Sequence, residues 1–353
     1  MFKSLLFIIV LLGCFTATAR AQNTASETLI PLEGLDPVML SQGKEVQGDM
    51  KYKITRGRFQ YLFANEENKA TFEKDPSKYE IQLEGHCARM GAPTTADPDL
   101  YAVHNGRIYI FGSAECQTLF KATPEKYLEV PAPPKSPSAE MVKRGQELIA
   151  KAAEALGSGA KLDQLRSLQR TDLRENNVRN NLALSFPDTM RQETIRPNFT
   201  LTSVITPSDS FIVVNNAARP MSEAGRAAIY KELNHDLIVL LRAHTRSDFK
   251  ASVSSEEKTV GWVDIEMPGF TTTLGIDPGT GRVVSQTYTG RGPGGVVGQV
   301  VINYSDYRTV AGLSLPFKMT ATFDGQPFPA LSATSEAITI NGQIDPSNFK
   351  KPQ

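Results

Sequence analysis

From Asp248 onward apolar and polar residues alternate with period two. The runs are FKASVSS, TVGWVDIEM, FTTTLGID, RVVSQTYTG, VGQVVINYSDY, LPFKMTATFDG and LSATSEAITI, separated by turns such as DPGTG at 277–281 and GRGPGG at 290–295. Seven such runs joined by short turns predict an antiparallel sheet, open or curled into a half-barrel. Strand-like sequence also fills 181–215, with breaks at Pro187 and Pro207. Helical spacing appears twice in this half. Met141, Leu148, Ile149 and Ala152 keep one stripe from Ser138 to about Leu156, ended by Gly157 and Gly159, and Lys161 to Leu168 reads as a further turn. Ile229, Leu233, Leu237, Leu240 and Leu241 predict a longer helix from Ser222 to Ala243.

The N-terminal half carries an internal repeat. Residues 61–79 align without gaps to 109–127, and Tyr, Phe, Glu, Phe, Pro, Lys and Tyr recur at matching positions. Each copy reads as a glycine turn, an aromatic strand and a short helix. The helix is capped by Asn65 or Ser113, and Phe72 or Phe120 falls on its buried face. One unit this small buries little surface, so two are expected to pack together. Four prolines within PAPPKSP, 131–137, form a stiff linker. The organisation is therefore a module over 30–130 and a domain over 138–350, an α+β chain.

The first 21 residues read as a cleavable export signal. Lys3 precedes an apolar run from Leu5 to Leu12, and Ala19, Arg20 and Ala21 form a cleavage site before Gln22. A second reading competes. Leu11 to Cys14, LLGC, resembles a bacterial lipobox, with Cys14 lipidated and the protein tethered to a membrane face. Export therefore points to the periplasm, free or tethered. The chain has 38 basic and 38 acidic residues, and loss of Lys3 and Arg20 leaves a slightly acidic protein. Nothing in that balance points to nucleic acid as a partner.

Residues 34–130 resemble the YHS-type module. GLDPV (Gly34 to Val38), the Tyr-x-Phe strands (Tyr61, Phe63; Tyr109, Phe111) and the E-x4-F helices (Glu67, Phe72; Glu115, Phe120) carry the likeness. DPSKY (Asp75 to Tyr79) and GHCARMG (Gly85 to Gly91) complete it. The resemblance implies metal handling, of copper or heavy metals. Asn68 stands where the second repeat has Cys116, which rules out a symmetric pair of cysteine sites. Residues 138–350 are similar to the outer-membrane lipoprotein carrier (LolA/LolB-like) type of fold, through EALGSGAKLDQLRSLQ, FPDTMRQE and YSDYRTVAGLSLPFKMTATFDGQPF. That fold is a curled antiparallel sheet closed by helices, and the resemblance implies a lipid or acyl ligand on its concave face.

Chemistry centres on Cys87 and Cys116. In an oxidising compartment they are expected to form a disulfide. A metal site is the alternative. His86, Cys87, Cys116 and His104 are donors suited to copper or zinc, although adjacent His86 and Cys87 point to opposite faces of an extended strand. Free or redox-active thiols are the third reading. Met90 is expected to fill space and Trp262 to pack on the sheet. His235 and His244, nine residues apart, would face opposite ways on one helix, as surface or satisfied core residues. No HExxH, nucleophile elbow or phosphate loop is present. The reading is a non-enzymatic binding protein, the module handling metal or redox chemistry and the second domain binding a hydrophobic ligand or partner. The alternative is a cell-envelope interaction protein with a plain disulfide. A thiol enzyme ranks last because the sequence places no basic partner beside either cysteine.

Overall fold

The structure is a computed structural model that describes residues 28–91, 94–129 and 136–352. The export signal and Cys14 lie outside the described residues, as does most of the proline linker. In the module, helix α1 (Pro37–Leu40) is followed by strands β1 (Asp49–Arg56) and β2 (Phe59–Phe63), then helices α2 (Glu66–Lys74) and α3 (Pro76–Tyr79). The second copy has β3 (Asp97–His104), β4 (Arg107–Phe111) and α4 (Ala114–Ala122). Each strand pair is its own antiparallel ribbon.

The caps are those the sequence predicts. The Asn65 side chain accepts from Asn68 N and the Ser113 hydroxyl from Cys116 N. Phe72 packs on Tyr61 and Phe63, each with ring centroids 5.1 Å away. Phe120 packs on Tyr109 at 5.2 Å and Phe111 at 5.0 Å. Edge and tilted contacts of this kind stabilise beyond burial alone. Both aromatic triangles belong to one hydrophobic cluster, so the repeats share a core.

The C-terminal domain opens with helices α5 (Ala139–Gly157) and α6 (Gly159–Asp163). Six strands follow: β5 (Ser167–Arg174), β6 (Val178–Ser185), β7 (Thr189–Arg196), β8 (Phe199–Ile205), β9 (Ser210–Val214) and β10 (Ala217–Pro220). Helices α7 (Glu223–Leu233) and α8 (Leu237–Arg242) interrupt them. The chain then returns through β11 (Lys250–Glu256), β12 (Gly261–Met267), β13 (Phe270–Ile276), β14 (Val283–Arg291), β15 (Val297–Val310), β16 (Leu313–Phe323), β17 (Gln326–Pro327) and β18 (Ala333–Ile340).

Among the described residues these fourteen strands form one antiparallel sheet. Its order is β10-β9-β8-β7-β6-β5-β18-β16-β15-β14-β13-β12-β11, with β17 beside β16. The two ends do not pair, so the sheet is open. Two meanders meet at its centre, where β18, the last strand, pairs with β5, the first. Alternation fixes which face is buried. Val263 and Ile265 of β12, Leu274 and Ile276 of β13, Val300 of β15 and Leu313 and Leu315 of β16 join α5 and α8 in one core. On β12, Trp262 lies opposite Gly275, where a Cβ would come within 2.9 Å of the indole. Among the described residues no helix is long and apolar enough to cross a membrane.

Two helical expectations need correction. The segment from Ser222 to Ala243 is not one helix. Asp236 is extended, with φ −69° and ψ 126°, and its side chain accepts from Ile238 N and Val239 N, so it starts α8 afresh after α7. The expected turn ending at Leu168 is also wrong at its end, since Ser167 already pairs with Ser185 in the sheet.

Gly145 of α5 permits close packing. A Cβ there would lie 2.6 Å from the Ser252 backbone of β11. Gly145→Ala must lift the helix off the sheet edge and is expected to destabilise by about 1–3 kcal/mol, as overpacking does. Thermal unfolding checks this, and an unchanged midpoint would show that α5 yields freely.

Candidate functional site

The sequence singled out four metal donors, and the structure does not gather them. Among the described residues no three of His, Cys, Asp or Glu form a ligand set. His86 has Arg58 and Glu84 as its charged neighbours. Its Nε2 is buried without a partner, and burial, with Arg58 opposing protonation, holds its pKa below the usual value. His104 stands on β3 with Nε2 3.4 Å from Glu125 and 3.0 Å from Asn105 Nδ2. Tetrahedral copper or zinc ligation by Cys87, Cys116, His86 and His104 therefore does not fit this arrangement.

Cys87 and Cys116 do meet. Cys87 is fully buried on a segment that bridges to Ile110 of β4, and Cys116 lies in the first turn of α4, 7% exposed. Both are free thiols, so the expected Cys87–Cys116 disulfide is not formed. Cys87 is nevertheless near enough to be among the groups that lower the Cys116 thiol. Arg89 Nη1 donates to Cys116 Sγ at 3.6 Å, and Arg89 Nε is buried with no partner. Burial alone would push the Cys116 thiol up. Hydrogen bonds from Ser113, Arg89 and Cys87 outweigh it and hold the thiol below its ordinary value.

The same construction recurs in the first repeat with other chemistry. The turns Leu32–Gly34 and Leu83–Gly85 share the sequence LEG and a left-handed middle residue, Glu33 at φ 54° and Glu84 at φ 53°. Two residues beyond each glycine come Asp36 and Cys87. Buried Asp36 accepts from Asn68 Nδ2 at 2.7 Å and from Ala64 N at 2.8 Å. Asp36 and Asn68 thus occupy the places of Cys87 and Cys116. In one copy a hydrogen bond staples loop to helix; in the other two thiols and an arginine stand there.

The glycine-rich 290–295 segment is the β14–β15 turn, as expected, and it also docks the module. Arg291 Nη1 donates to Arg89 O and Gly295 O, both at 3.0 Å. A Cβ on Gly295, at φ +83°, would lie 2.2 Å from Arg89 O. Arg89 is thereby held by its backbone from one side while its guanidinium reaches the Cys116 sulfur.

A second site lies in the C-terminal domain. A cavity of about 210 Å³ opens between the sheet and helices α7 and α8. Leu182, Ile229, Leu233, Ile302, Met319 and Ile338 supply apolar wall. Arg170, Asp172 and Arg174, alternate residues of β5, form a polar end with Asp236. Arg170 Nε donates to Asp172 at 2.9 Å and Nη1 to Asp236 at 2.5 Å. Burial opposes its charge, and the two carboxylates more than restore it, keeping its pKa above the usual value. Arg174 donates to Ala330 O at 2.6 Å and lies against the Asn180 amide. Among the described residues it makes no ion pair, and burial lowers its pKa.

His235 lines this cavity too, which corrects its reading as a surface or satisfied residue. It sits in the break between α7 and α8, its ring 3.6 Å from that of Tyr288 and 4.7 Å from that of Phe270. Its Nδ1 is buried without a partner. Burial, helped by Lys231, pushes its pKa down to about 3. His244 instead bonds Leu241 O at 2.7 Å in the turn after α8.

No family model matches the chain, so the YHS-type resemblance rests on its motifs. No curated protein matches it either. Among solved structures, a LolA superfamily protein from Nitrosomonas europaea is similar with a TM-score of 0.36 and 9% sequence identity, over 59% of this chain and 97% of that one. A likeness of that TM-score adds nothing to what the strand order shows.

Proposed function

We propose that this is an exported, non-enzymatic binding protein whose C-terminal domain holds a small hydrophobic ligand, a lipid or acyl chain, beneath α7 and α8. The cavity carries this reading. An apolar cavity of about 150 Å³ is enough to take up benzene, and this one measures about 210 Å³. Much of its wall is apolar, with Glu232 and His235 also on it, and its polar end offers Arg174, a guanidinium that makes no ion pair among the described residues. The ligand is therefore an amphiphile with its tail among Ile302, Met319 and Ile338 and its polar end toward β5. The apolar run from Leu5 to Leu12 behind Lys3 supports export.

The test is uptake of 1-aminoanthracene, a fluorescent apolar probe, and its displacement by medium-chain fatty acids. Saturable uptake reversed by fatty acid is expected. Met319→Trp fills the cavity and should weaken uptake about tenfold or more, equivalent to about 1.4 kcal/mol, with the thermal midpoint held. Absence of saturable uptake by the native chain would remove the reading.

For the module, the meeting of Cys87, Cys116 and Arg89 favours redox handling over metal handling, because two thiols without a third donor make a poor cage for zinc.

A further inference from the structure

Arg89 is the basic partner that the sequence does not place beside either cysteine. The two thiols occupy the positions that hydrogen-bonded Asp36 and Asn68 fill in the first repeat, and both belong to the module's one buried cluster. Cys116 sits in the first turn of the nine-residue α4, where backbone N–H groups favour a thiolate. It is also the more exposed cysteine, at 7% against 0% for Cys87. Arg89 bonds its sulfur, and the Arg291 clamp fixes the Arg89 backbone.

We propose that Cys116 and Cys87 form a thiol–disulfide exchange pair for a small-molecule disulfide, with Cys116 attacking, Cys87 resolving and Arg89 positioning the attacking sulfur. The inference rests on the redox reading of the module and is independent of the cavity.

The Cys116 thiolate attacks one sulfur of the external disulfide. A mixed disulfide forms and the other half leaves as a thiolate, which takes a proton from water. Cys87 then loses its proton to water and attacks Cys116 Sγ, expelling the second half as a thiol. The external disulfide is reduced by two electrons to two thiols, and the protein dithiol is oxidised to one disulfide. Excess small thiol reverses both steps. Attack through a thiolate on an accessible disulfide is the general course of such exchange.

The experiment uses the full chain, reduced and then exposed to oxidised glutathione, with acid quench, alkylation and peptide mapping. Early samples should carry glutathione on Cys116, and late samples a Cys87–Cys116 bond that reduced glutathione reopens. Arg89→Gln should slow the first step about three- to tenfold at neutral pH, and Arg89→Lys should recover part of that rate. Glutathione that stays on Cys116 with no bond to Cys87 would overturn the pair while leaving a redox thiol in place. No reaction at either cysteine until the chain unfolds would overturn both the pair and the redox reading.

Discussion

Acidification from pH 7 to pH 4 is expected to cost the native protein about 3 kcal/mol more than it costs the His235→Phe variant. The folded ring stays neutral down to about pH 3, whereas the free side chain takes a proton near 6.5. Between those values the unfolded chain binds more protons than the folded one, so stability rises with pH. The contribution is complete above 6.5, declines as pH falls, and levels off below about 3. Burial is the cause: the ring lies between Tyr288 and Phe270, and its Nδ1 has no partner to share the charge. Phenylalanine keeps the ring stack and removes the titration. Urea unfolding of both proteins at the two pH values gives the difference directly. Parallel losses would mean that water reaches the ring in the folded state.

The sequence reads the sheet well where one face is buried. Runs such as GWVDIEM and FTTTLGI alternate cleanly because Val263, Ile265, Leu274 and Ile276 enter the core while their neighbours do not. It reads β5 badly for the opposite reason. Leu168, Arg170, Asp172 and Arg174 share one face of that strand, and three of the four are charged. Alternation of hydrophobicity fails there because the face lines the polar end of a cavity. Charges at every second position were the available signal. The break before α8 was hidden in a similar way, since Leu233 and Leu237 continue a helical spacing across an Asp236 cap.

The thiol site divides along the same line. The ungapped repeat, offset by 48, identifies Asn68 with Cys116. The LEG turns are offset by 51, so the equivalence of Asp36 with Cys87 requires a gap of three residues that a rigid alignment misses. Arg89 lies two residues after Cys87 in sequence but acts on Cys116, 27 residues further on. Only the fold of the segment around Cys87 against β4 turns that sequence neighbour into a partner of the other thiol.

Asp236→Ala should destabilise the chain by about 3–5 kcal/mol, the cost of breaking a buried ion pair from one side. Asp236 does two things at once. Oδ1 accepts from Ile238 N at 3.0 Å and Val239 N at 3.4 Å, which starts α8. Oδ2 accepts from Arg170 Nη1 at 2.5 Å, which ties α8 to β5 at the sheet centre. Alanine removes both and leaves Arg170 with Asp172 as its remaining acid. Asp172 is itself engaged, accepting from Ser335 Oγ at 2.6 Å. Asp236→Asn separates the two roles. Asparagine caps helices about as well as aspartate, so the loss it retains measures the ion pair alone. Urea unfolding with an unchanged slope would report both values. Because α8 roofs the cavity, the alanine variant should also release 1-aminoanthracene at denaturant concentrations below its global unfolding. Probe loss that coincides with global unfolding in both variants would show that Arg170 and Asp236 stabilise the whole domain and do not hold the roof separately.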